Sequence, residues 1–95
     1  MKPPPFETLI SVAELQALQR SGAPVVLLDC SFDLSDPQAS ERTHASQHLP
    51  GAQYAHLDRD LSGAKTGTNG RHPLPDPAAL AQRVGAWGVV PGCQV

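Results

Sequence analysis

The sequence predicts an α/β domain built around a parallel sheet flanked by helices on both faces, and three observations predict it. Val25-Val26-Leu27-Leu28 is an unbroken apolar run with no polar alternation, the pattern of a strand covered on both faces. Segments of helical period lie on either side of it, each opened by a capping residue, Ser11 and Asp76. In order, the chain reads strand, helix, strand, loop, strand, helix, strand, the alternation that lays helices against a parallel sheet. The last of these strands starts at Cys93 and reaches only Val95, with neither its body nor a following helix, so the sheet is expected to be incomplete.

Residues 1–7 read as a proline-rich leader and 8–95 as a partial domain, with Thr8-Leu9-Ile10 as a short edge strand. Ser11-Val12-Ala13-Glu14 has the form of a capping box, in which hydroxyl and carboxylate each satisfy the other residue's backbone amide. Ile10 and Leu15 fall at the positions of a hydrophobic staple. A helix over 12–20 follows, with Leu15 and Leu18 on one face and Gly22 suited to ending it. Asp29 then closes the apolar strand at its carboxyl end, where ligands of open α/β sheets gather and where an aspartate also commonly orders the next loop.

Polar residues 31–43 carry the turn signal Asp36-Pro37, and a short helix is predicted over 41–47. Leu49-Pro50-Gly51 is a turn, because proline presets φ and glycine accepts a positive one; Gln53-Tyr54-Ala55 is the strand behind it. Residues 62–70, with three glycines, form a loop. Asp76-Pro77 reads as N-cap and first turn of a second long helix, with Leu80, Val84 and Trp87 on one stripe and Gly88 as its stop.

Composition narrows the function. Ninety-five residues with ten prolines, four aromatic residues and 40% hydrophobic content support one modest core. A net charge of −2 provides no field for nucleic acid or an anionic membrane. No apolar run approaches the roughly 20 residues of a membrane span, and no secretory core follows Met1, so the expected location is cytoplasmic. Cys30 and Cys93 stand far apart without a CxxC spacing, which argues against a zinc site and a disulfide framework.

Few clusters carry chemistry. Gly63-Ala64-Lys65-Thr66-Gly67 looks superficially like a phosphate loop, yet no strand enters it and no helix leaves it, so it reads as a flexible surface loop. His44, His48, His56 and His72 show no metal-ligand spacing, and neither a metal nor a cofactor is expected. Cys30 reads as a buried packing thiol behind the apolar run, and Cys93 lacks the basic or glycine-flanked setting of a nucleophile. Asp58 and His72 could form a carboxylate–imidazole pair. Spacing alone does not bring them together, so a loop aspartate and a turn histidine stand as the other reading.

Four segments occur in a telling order: Leu27-Leu28-Asp29-Cys30-Ser31, His48-Leu49-Pro50-Gly51-Ala52, His56-Leu57-Asp58-Arg59-Asp60-Leu61-Ser62-Gly63 and Asn69-Gly70-Arg71-His72-Pro73-Leu74-Pro75. Together they resemble the N-terminal, non-catalytic half of tandem-domain rhodaneses, the thiosulfate and 3-mercaptopyruvate sulfurtransferases. The resemblance implies a rhodanese-like parallel sheet whose central strands are missing here, and an enzyme that moves sulfane sulfur through a cysteine persulfide. The nucleophilic cysteine would belong to a C-terminal rhodanese domain, so this chain alone is expected to be inactive. The implied partners are a small anionic sulfur donor, a thiol or cyanide acceptor and that missing domain.

The resemblance also implies supporting catalytic roles for Asp58 and His72, and a weaker substrate-attracting role for Arg71. Gln47 and His44 depart from the family pattern, which usually has glycine and an aromatic there. The alternatives are a non-catalytic rhodanese-like binding module and a small α/β domain completed by another chain.

Overall fold

The computed structural model describes residues 5–95, so the expected leader lies outside the described residues at positions 1–4. Five elements follow in order: α1 Val12–Arg20, β1 Leu28–Asp29, α2 Ala39–Ser46, β2 Gln53–Tyr54 and α3 Pro77–Ala86. The architecture is mixed α/β. β1 and β2 pair in parallel, Leu28 beside Gln53 and Asp29 beside Tyr54.

The segment leading into β1 is bonded along both edges. On one side Leu27 and Asp29 carbonyls accept the Gln53 and Ala55 amides at 2.9 Å each; on the other, Val26 N–H donates to Gln94 O at 2.8 Å. The Gln94 amide answers by donating to Pro24 O at 3.0 Å. The expected strand over 93–95 is thus reduced to a single parallel bridge, Val25 with Gln94. Likewise, only the last residue of the Val25–Leu28 run enters a strand.

Coverage on both faces is corrected as well. Within that run only Val26 is buried, while Val25, Leu27 and Leu28 are half-buried. Hollows of about 120 and 220 Å³, both lined by Val25 and Leu27, separate them from Leu15 and Gln19 of α1. None of the three helices has a fully buried residue. The apolar core is accordingly small: Val26, Ala55 and Cys93.

Thr8-Leu9-Ile10 is not a strand, and Leu9 is 88% exposed. The N-terminal segment is instead pinned one position group earlier, by a side chain. Gln94 Oε1 accepts the Phe6 amide at 3.0 Å and its Nε2 donates to Phe6 O at 2.8 Å, imitating a strand partner for one residue.

Local signals hold well. The Ser11 hydroxyl accepts the Glu14 amide at 3.1 Å and the Glu14 carboxylate accepts the Ser11 amide at 2.9 Å. This reciprocal pair holds Glu14 below the ordinary carboxylate value. Leu15 and Leu18 are the inward residues of α1, and Leu80 and Val84 those of α3, with Trp87 just beyond. Asp76 Oδ2 accepts the Ala79 amide at 3.1 Å, with Pro77 opening α3. Leu49-Pro50-Gly51-Ala52 closes as a turn through Ala52 N–H to Leu49 O at 2.9 Å, with Gly51 at φ +79°. The short helix begins two residues before its expected start, after the Asp36-Pro37 turn, and ends at Ser46.

Candidate functional site

The site is built on the turn that follows β2, and His56 is its anchor. This ring is 3% exposed. Its Nδ1 accepts the Asp58 and Arg59 amides at 3.1 and 3.2 Å, so the ring proton must sit on Nε2, which donates to Pro37 O at 2.9 Å. Asp60 completes the turn by accepting the His56 amide on Oδ2 at 2.9 Å. Its other oxygen is buried without a hydrogen-bond partner, but has charge contact with Arg83 Nε at 3.3 Å and Arg59 Nε at 3.6 Å. Arg59 in turn forks onto both Glu41 oxygens, at 3.2 and 2.7 Å, and fastens the turn to α2.

With its backbone fixed this way, Asp58 meets His72: Asp58 Oδ1 lies 3.0 Å from His72 Nδ1. A carboxylate can only accept, so the shared proton belongs to His72 Nδ1 and leaves Nε2 for other chemistry. Phe32 stands edge-on to both imidazoles, 5.4 Å from His56 and 6.1 Å from His72. Asp58, His72, Lys65 and Arg71 line one cleft of about 280 Å³, whose apolar wall is Phe32, Leu34 and Pro37. The fold therefore joins Asp58 and His72, which the spacing left apart, and sets Arg71 beside them. A partly exposed carboxylate–imidazole pair flanked by two cations can hold an anion and carry a proton.

The loop that delivers His72 is tied at its stem. Gly63 N–H donates to Pro73 O at 2.9 Å, and a Cβ on Gly63 would stand 2.7 Å from Leu74 O, so this close crossing requires glycine.

A second polar group lies at the end of β1. Asp29 Oδ2 is 3.1 Å from His44 Nδ1, and Ser31, through its hydroxyl and then its amide, holds the Asp29 carboxyl below its ordinary value, with His44 adding to this. The His44 ring stacks on His48 at 4.3 Å and tilts against Tyr54 at 5.6 Å. It thus packs as an aromatic ring would. Among the described residues no three His, Cys, Asp or Glu side chains gather as metal ligands.

The cysteines take unequal places. Cys30 is exposed, contrary to its reading as a buried thiol, because the strand ends at Asp29 and the chain turns outward. Partial desolvation and then the Asp29 charge push its thiol above the ordinary value. Cys93 is buried.

Sequence reasoning missed His56, Asp60 and Lys65 as parts of this site. The signal for the first two was an Asp four residues after a His directly behind a strand. Lys65 carried none, since only the folded loop brings it to the same cleft as Arg71.

Fold and site together define an α/β scaffold presenting a carboxylate–imidazole pair to a cleft also lined by Lys65 and Arg71. The chain is 45% identical over 84 residues to a Pseudomonas aeruginosa protein named "Probable 3-mercaptopyruvate sulfurtransferase", a match covering 87% of this chain and 30% of that protein. It is 36% identical over 83 residues to Mycobacterium tuberculosis proteins named "Putative thiosulfate sulfurtransferase SseB", covering 87% of this chain and 29% of theirs. The similarity is thus to proteins named as sulfurtransferases, and the chain spans about 30% of the length of the relatives it matches. No family profile and no solved structure matches the chain significantly. Among the described residues no helix is long and apolar enough to cross a membrane.

Proposed function

We propose that this chain is part of an N-terminal rhodanese-like domain, over residues 8–95, and forms one wall of a sulfurtransferase active site. The parent enzyme, in the cytoplasm, takes sulfane sulfur from thiosulfate or 3-mercaptopyruvate onto a cysteine thiolate of a partner rhodanese domain. The resulting persulfide passes its outer sulfur to a thiol or to cyanide. With thiosulfate, a sulfur–sulfur bond forms to the cysteine as the bond to sulfite breaks, and sulfite leaves with the electron pair. With 3-mercaptopyruvate, the sulfur–sulfur bond to the cysteine forms as the carbon–sulfur bond breaks; the electron pair stays with the carbon, which takes a proton to give pyruvate. That proton comes from the donor's thiol, and an imidazole backed by a carboxylate is suited to carrying it.

The observation that carries this reading is the 3.0 Å Asp58–His72 contact on a cleft that also holds Arg71 and Lys65. The state of the two cysteines supports the absence of a nucleophile here. Cys93 is buried, and the Cys30 thiol is pushed up when persulfide chemistry needs it lowered.

The test is release of thiocyanate from thiosulfate and cyanide, or of pyruvate from 3-mercaptopyruvate, by the purified 95-residue chain. No turnover above buffer is expected. Turnover that disappears on Cys30→Ser or Cys93→Ser would place the nucleophile in this chain and overturn the reading. In a polypeptide joining this segment to a catalytic half, His72→Asn is expected to lower turnover of 3-mercaptopyruvate.

A further inference from the structure

Lys65 and Arg71 share the cleft of Asp58 and His72, and neither forms an ion pair among the described residues. Arg42, Arg59 and Arg83, by contrast, all lie against carboxylates. The one carboxylate in the cleft, Asp58, is already bonded to His72. Two cationic residues therefore line a small open cleft without an ion-pair partner among the described residues, on a chain whose net charge is −2. The positive field is a local construction.

Lys65 is also better held than a lysine in a glycine-rich loop would be. Asn69 grips the backbone on either side of it: Nδ2 donates to Ala64 O at 3.0 Å, and Oδ1 accepts the Thr66 amide at 2.9 Å. The Gly63 to Pro73 bond fixes this loop to the residue directly after His72. Asn69 makes no contact with the cleft itself; its side chain is spent on placing Lys65. A cleft of about 280 Å³ has room for an ion of a few heavy atoms.

We propose that Lys65, positioned by Asn69, joins Arg71 in a two-cation clamp that receives a dianionic oxyanion beside His72 and favours it over a monoanion. The proposal rests on the sulfurtransferase reading of this site and names Lys65 as its charge-selecting residue. A monocarboxylate can be satisfied by Arg71 alone through its planar fork, whereas a second negative charge needs the second cation. Removing Lys65 should therefore affect the two kinds of ligand unequally.

Thiosulfate and pyruvate, titrated separately into the isotopically labelled 95-residue chain at low salt, test this by amide and imidazole shifts. Thiosulfate is expected to move the signals of Lys65, Arg71 and His72 and to bind more tightly than pyruvate. Lys65→Gln should weaken thiosulfate about fivefold and pyruvate less than about twofold, the scale of one exposed charge contact. Asn69→Ala removes no charge, yet should weaken thiosulfate in the same direction. Lys65→Arg, which keeps the charge, should retain thiosulfate binding and guards against a variant that merely fails to fold. Absence of thiosulfate binding, equal affinity for both anions, or Lys65→Gln and Lys65→Arg behaving alike overturns the clamp. A chain that binds no thiosulfate and also shows no turnover sinks the clamp alone, because the sulfurtransferase reading is judged by turnover.

Discussion

His56 and His72 hold Asp58 from two directions and in opposite proton states: His56 Nδ1 accepts the Asp58 amide at 3.1 Å, while His72 Nδ1 donates to its carboxylate at 3.0 Å. One ring fixes the backbone and the other meets the side chain. Long-range proton–nitrogen NMR of the neutral chain should report the Nε2–H tautomer for His56 and Nδ1–H for His72. Asp58→Ala should release the His72 preference and leave that of His56 unchanged. The same tautomer on both rings would contradict the arrangement.

The buried ring is worth more to stability than to chemistry. His56→Ala removes bonds to Pro37, Asp58 and Arg59 and the edge contact with Phe32. A loss of about 2–4 kcal/mol is expected, from orphaned amides plus a cavity. Arg20→Ala, an exposed change, should stay within about 0.5 kcal/mol in the same urea titration. Equal midpoints for the two variants would remove His56 from its anchoring role.

Two glycine replacements should move stability in opposite directions. At Gly63 an added Cβ meets Leu74 O at 2.7 Å, so Gly63→Ala should cost about 1–3 kcal/mol. At Gly85, inside α3, a Cβ meets nothing within 4 Å, so Gly85→Ala should stabilise by up to about 1 kcal/mol. Thermal or urea unfolding reads both signs.

Acid sensitivity should centre partly on Asp29. Ser31 and His44 hold its carboxyl below 3.8, so the folded state binds its proton more weakly than the unfolded chain does. The stabilisation is complete above about pH 4 and is lost as pH falls through the lowered folded value. Unfolding midpoints between pH 6 and 3 should fall less steeply for Asp29→Asn, and an identical slope would remove Asp29 from this role.

Thiol labelling separates the cysteines. Cys30 is exposed but raised above 9.0, so its labelling should be slow at neutral pH and accelerate in alkali. Asp29→Asn removes a charge that opposes the thiolate, and should speed labelling at a given pH. Cys93 is buried and should react only on unfolding. Rapid neutral labelling of Cys30 would also weaken the case against a nucleophile in this chain.

The sequence by itself determined the features whose partners lie three or four residues away. Ser11 with Glu14 and Asp76 with Ala79 set where α1 and α3 begin, and Leu49-Pro50-Gly51 set its turn, since each bond closes within one loop of backbone. The motifs around His48–Ala52 and His56–Gly63 likewise carried the resemblance to sulfurtransferases. Tertiary structure decided how much of each apolar run became strand, because a strand extends only as far as its partner does. Val25–Leu28 met Gln94 at one point and Gln53 at another. It also decided that Cys30 faces outward, and that Asp58 and His72, fourteen positions apart, share a proton. That last contact depends on a loop stem in which Gly63 meets Pro73, ten positions on, as well as on the local turn locked by His56, and no local spacing encodes the stem.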